Sequence, residues 1–135
     1  MKNNLTYYQH YADSHNHWKF KLLRSLLGWS AEGRFWALNN MIASSEECIL
    51  KLHKKAVRAC TINDLGLNEE EFEKFISVLT NDCELIINLD GNITTETVRD
   101  NLKTVLKERE SARKRKLKSQ SRLENENRQS KIFNI

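Results

Sequence analysis

The sequence predicts a mainly α fold: a winged helix-turn-helix, with helices and a small β-hairpin wing, followed by a C-terminal basic helical tail. Three observations predict it. Apolar residues recur at helical spacing in successive segments between Trp18 and Leu79. Proline is absent from all 135 positions, which suits a largely helical chain. Asp90-Gly91 lies between two short β-prone runs, the arrangement of a tight hairpin.

The first helix is read from "HWKFKLLRSLL". Trp18, Leu22 and Leu26 are spaced four apart, with Leu23 and Leu27 beside them. Gly28 stops this helix, because glycine takes the left-handed conformation without a Cβ penalty. Ser30 is the natural N-cap of a second helix running to about Ala43. Gly33 then falls inside that helix, at a propensity cost of about 1 kcal/mol. Close approach of the first helix to its bare backbone would offset that cost. Gly28 and Gly33 also have the spacing of a phosphate-binding loop. That loop requires a preceding strand, then Lys and Ser or Thr after the second glycine. Arg34 and Phe35 stand there instead, and the preceding segment is helical. The glycines mark a helix junction.

The aliphatic run Cys48 to Leu52 predicts one brief strand. A third helix follows over Lys54 to Asp64, with Gly66 beyond its end. The fourth helix has the strongest start signal in the chain. Asn68 as N-cap and Glu71 form a capping box, and Leu67 and Phe72 stand where a hydrophobic staple needs them. Phe72, Phe75, Ile76 and Leu79 make one apolar stripe. With Leu22, Leu26, Trp36 and Leu38, they are expected to share one core. The hairpin "LDGNITTETV" completes the order helix, helix, strand, helix, turn, helix, hairpin. From Thr95 a new helical stripe begins with Val98, Leu102, Val105 and Leu106, and beyond Leu106 the apolar period stops. The expected division is a winged-helix domain over residues 1–94 and a charged, basic helical or partly disordered tail over 95–135.

Charge divides at the same place. The net +4 combines 10 Lys+Arg against 12 Asp+Glu in residues 1–94 with 12 against 6 in residues 95–135. The body is mildly acidic and the tail alone makes the protein basic. No run of eighteen apolar residues exists and the N-terminus lacks an apolar signal core, so the expectation is a cytoplasmic protein without a membrane partner. Cys48, Cys60 and Cys83 form an odd set without CxxC spacing, and read as small buried hydrophobes. His10, His15 and His17, with Asp13 nearby, do not complete a metal-ligand set. No nucleophile elbow or other catalytic motif is present. A non-enzyme without a cofactor is expected.

Nucleic-acid binding has better support. In helix-turn-helix proteins the first residues of the recognition helix reach base edges. Here they are Glu69, Glu70, Glu71 and Glu73, which would repel phosphates. Acids in a first turn favour the helix dipole, and Glu69, Glu70 and Glu73 are the candidate protein-docking residues. Two basic sets could hold phosphates without sequence preference. Lys51, Lys54, Lys55 and Arg58 have the spacing of one helical face; Arg113, Lys114, Arg115, Lys116 and Lys118 form a denser tail cluster.

With these elements placed, residues 7–115 resemble the winged-helix domain that opens phage and prophage replisome-organiser proteins of the DnaD-like replication-initiator type. That family begins with an aromatic and His-Asp, then Asn-Asp-x-Lys, a helix, and Gly-x4-Gly-x-aromatic-Trp-x-Leu. The matching residues are Tyr8, His10, Asn16, Lys19, Gly28, Gly33, Phe35, Trp36 and Leu38. Tyr11 and His17 stand where the family usually has Asp, and Asn39 or Asn40 replaces a Glu. Family members usually carry a further C-terminal domain, and the expectation here is a chain that keeps the winged helix without it. The resemblance implies a DNA-associated module of DNA replication, with DNA and a replication or host nucleic-acid-machinery protein as partners. The competing class is a pure interaction protein, such as a small phage-encoded inhibitor of the anti-CRISPR kind whose acidic helix imitates nucleic acid. The aromatic segment "NLTYYQHY" predicts a homo-oligomer through packing across a subunit boundary.

Overall fold

The computed structural model describes residues 4–5 and 13–133, with side-chain burial described as far as residue 125. It is mainly helical, with one two-stranded antiparallel hairpin. The helices are α1 (Trp18–Leu27), α2 (Trp29–Ser44), α3 (Lys55–Asp64), α4 (Glu69–Ser77) and α5 (Glu96–Phe133); the strands are β1 (Ile87–Leu89) and β2 (Asn92–Thr94). The chain divides into two compact units at Leu102/Lys103. The first two turns of α5 therefore belong to the first unit, beyond the expected boundary at residue 94. Val98 and Leu102 are buried there, and Thr95 Oγ1 accepts from the Val98 amide while donating to the buried Asn39 Oδ1 at 2.8 Å.

Gly28 joins α1 to α2 unaided. With φ of 87°, Gly28 closes α1 by donating its amide hydrogen bond to the Arg24 carbonyl, and its own carbonyl accepts from the Ala31 amide. The second helix thus starts at Trp29, and Ser30 is not its cap; the Ser30 hydroxyl instead accepts from Arg34 Nη1. The expected approach of α1 to Gly33 is also corrected. A Cβ built on Gly33 would meet nothing within 4 Å.

The expected row Trp18, Leu22 and Leu26 is not the face of α1 that the structure buries. Phe20 and Leu23 face inward, whereas Trp18 and Leu26 are 52% and 47% exposed and Leu22 is half-buried. An aromatic cluster explains the choice. The Phe20 ring lies 5.4 Å from Phe35 and 5.3 Å from Trp36, and Phe35 lies 5.1 Å from Trp36. Of the expected core, Leu38, Phe72, Phe75 and Leu79 are buried, Trp36 and Ile76 are half-buried, and Leu26 is outside it. Ile42, Ile93 and Val98 are fully buried beside them.

The strand expected at Cys48 to Leu52 shrinks to a single bridge, Leu50 to Ile93. Glu47 and Cys48 take φ of 59° and 55° in a tight turn, and the Cys48 carbonyl accepts from the Thr94 hydroxyl at 2.8 Å instead of a ladder amide. The hairpin itself forms at Asp90-Gly91, both with positive φ, and pairs Leu89 with Asn92. The fourth helix starts as its sequence requires: Glu71 N donates to Asn68 Oδ1 at 2.8 Å and Asn68 N to Glu71 Oε1 at 3.1 Å.

Candidate nucleic-acid and partner surfaces

The two charged candidates on α3 and α4 form one cluster. Arg58 reaches across the turn between the helices and donates to both Glu69 and Glu73, while its guanidinium lies 5.1 Å from the Phe72 ring. Hydrogen bonding to Glu69 is the main cause that raises the Arg58 pKa above its ordinary value. Glu69 and Glu73 lie one turn apart on α4, so one fork can hold both. Sequence reasoning missed this pairing, although the four-residue spacing of the two acids was visible. Its consequence is competition: Arg58 is already engaged by carboxylates, and Glu69 and Glu73 present a partly neutralised face. Glu70 remains exposed beside them.

The expected four-residue helical face also breaks up. Lys51 and Lys54 precede α3, because Leu50 is bridged to the hairpin and Lys54 is the extended N-cap. Lys55 and Arg58 alone are on the helix. Among the described residues, no ion pair is formed by Lys51, Lys54 or Lys55.

The second unit is helical throughout its described length, and every side chain from Lys107 to Asn125 is exposed. Arg113, Lys114, Arg115, Lys116 and Lys118 are therefore all open to solvent. Lys114 pairs with Glu110 at 3.3 Å, one helical turn away, a surface contact of small energy. Even Leu117 and Leu123 are 59% exposed.

Two further features lie in the first unit. A cleft of about 440 Å³ is walled by Phe20, Phe35 and Trp36, with Asn39 and Thr95 among its polar lining. Asp13, Lys19, Glu84 and Glu96 also line it, so its surface is mixed apolar and charged, and among the described residues no buried side-chain polar atom lacks a partner. Among the described residues Trp29 is the most exposed large apolar side chain, at 73%, with Arg24 stacked 4.4 Å from its ring centre. Arg24 is held in turn by Glu32 and by the His15 carbonyl, each at 2.8 Å.

Among the described residues, no group of three or more His, Cys, Asp or Glu could hold a metal ion, and no helix is long and apolar enough to cross a membrane. His10, Tyr8, Tyr11 and most of "NLTYYQHY" lie outside the described residues. Leu5 is buried and its amide donates to the Ala43 carbonyl at 2.8 Å. No family model, curated protein or solved structure matches the chain.

Proposed function

We propose that this is a phage- or prophage-derived winged-helix protein of the replication-initiator type, which binds DNA without sequence preference and docks a protein partner. The succession α3, turn, α4, hairpin supports the winged helix-turn-helix reading. The observation that carries the DNA reading is the tail. Residues 95–135 hold 12 Lys+Arg against 6 Asp+Glu, and their side chains stand in solvent from Lys107 to Asn125. Such a surface attracts phosphates by releasing condensed counterions. The α4 start is an unsuitable base reader, since Glu69 and Glu73 are engaged with Arg58 and Glu70 and Glu71 repel the backbone.

The test is a salt titration of binding to two 20-bp DNA duplexes of unrelated sequence. Equal affinities are expected, with a steep fall in affinity as salt rises. Replacing Arg113, Lys114, Arg115 and Lys116 by Ser should flatten the slope by about 0.9 for each phosphate that is no longer neutralised. An unchanged slope would move the DNA surface to Lys51, Lys54 and Lys55. No binding at low salt would sink the DNA reading.

A second reading is a pure protein-interaction role, favoured by the exposed Trp18, Leu26 and Trp29. Large aromatics at the surface are common energetic anchors of protein interfaces. Glu70 with the Arg58-bridged Glu69 and Glu73 would supply the acidic docking face in either reading.

A further inference from the structure

The continuity of α5 sorts the tail cations in a way their sequence density does not. From Lys103 the spacings to Lys107, Lys114, Lys118 and Arg122 are four, seven, four and four residues. At 3.6 residues per turn, each step is close to a whole number of turns, so all five lie along one side of the helix. Lys103 and Lys107 recur at Lys114 and Lys118 with an 11-residue period, the repeat that stays in line on a nearly straight helix. By the same geometry, Arg109, Arg113 and Lys116 fall on roughly the opposite side. All eight side chains are exposed.

We propose that the stripe Lys103, Lys107, Lys114, Lys118 and Arg122 is a dedicated docking face for the major groove of B-form duplex DNA. This rests on the reading above that the tail binds phosphates, and it adds the face, the groove and the form of nucleic acid. Charge complementarity argues for the occupant. Five cations along about 28 Å of helix, at 1.5 Å per residue, meet a polyanion better than any mixed protein surface. Size argues for the groove: a helix about 10–12 Å across matches a major groove about 12 Å wide. The A-form RNA duplex has a deep, narrow major groove that does not admit it. Two carboxylates border the stripe, Asp100 three residues before Lys103 and Glu110, which is paired with Lys114. Phosphate would replace that weak surface partner. The four Lys and one Arg of this face are assigned to phosphates, and phosphate contacts position the helix without selecting a sequence.

The experiment compares two full-length variants with the same change in charge. One carries Lys107→Gln, Lys114→Gln and Lys118→Gln; the other carries Arg109→Gln, Arg113→Gln and Lys116→Gln. Binding to a fluorescent 20-bp DNA duplex is measured across a salt series, with unfolding midpoints checking that both variants fold. The stripe variant should bind about tenfold or more weakly, with a slope flatter by roughly two to three units. The opposite-face variant should change the slope by less than about one unit. Equal losses in the two variants would overturn the docking face while leaving a tail that binds DNA. Equal affinity of the wild type for an RNA duplex of the same sequence would overturn the groove assignment. A wild type that binds no duplex at low salt would instead remove the underlying DNA reading.

Discussion

Gly33 lies inside α2, with room for a Cβ on every side and no positive φ to require glycine. Glycine there costs folding entropy without a packing return, so Gly33→Ala should stabilise the protein by about 0.5–1 kcal/mol. Urea unfolding checks this; a loss of stability would mean that something approaches the backbone at that point. Gly28 is the opposite case, since its φ of 87° is one that other residues adopt at a cost. The sequence separated the two glycines, Gly28 as a left-handed helix stop and Gly33 inside the next helix; what it did not show was the open space around Gly33, which depends on long-range packing. The cysteines divide similarly. Cys48 and Cys83 are fully buried and desolvation raises both thiols above the ordinary 9.0, whereas Cys60 is exposed. One of three thiols should react quickly with a disulfide reagent in the native state, and all three after denaturation. A raised folded pKa means that this contribution to stability is intact below pH 9 and fades as pH climbs past it. Unfolding midpoints at about pH 8 and about pH 10 should therefore differ in that direction, with the lower one at the higher pH. A higher midpoint on the alkaline side would contradict it.

At the scale of elements, local signals were legible where one residue acts on its near neighbours. The Asn68–Glu71 capping box and the Asp90-Gly91 turn both form at the residues that encode them. Asn68→Ala removes the acceptor of the Glu71 amide and should cost about 1 kcal/mol. A thermal shift too small to measure would show that solvent replaces the cap at no cost. Choices between equivalent long-range partners were not legible. Trp18, Leu22 and Leu26 fit the helical period as well as Phe20, Leu23 and Leu27, and an aromatic cluster with Phe35 and Trp36 decided for the second row. The aliphatic run at Cys48 had strand composition, but its carbonyl was claimed by Thr94 from a distant segment. Arg58 was read as a phosphate ligand from its neighbours in sequence, while its strongest contacts come from the next helix.

For the whole molecule, the decisive boundary is where burial ends along α5. Sequence placed the change at residue 95 from charge; packing places it at Leu102/Lys103, because two turns of a charged helix still carry apolar residues inward. Leu102 and Leu117 belong to the same helix and the same residue type, at 7% and 59% exposure. Leu102→Ala should therefore cost about 2–5 kcal/mol, the range for emptying a packed site. Leu117→Ala should stay within about 0.5 kcal/mol, as at surface positions without special contacts. Chemical denaturation of the two full-length variants makes the comparison, and helix propensity nearly cancels because both exchange Leu for Ala in one helix. If Leu117→Ala proved as costly as Leu102→Ala, the tail would be packed against something. Its cations would then not be available along their whole length, and the docking face on α5 would lose its physical basis. If the two costs separate as expected, stability resides in the first unit, and the tail's charges can be changed for binding experiments without disturbing the fold.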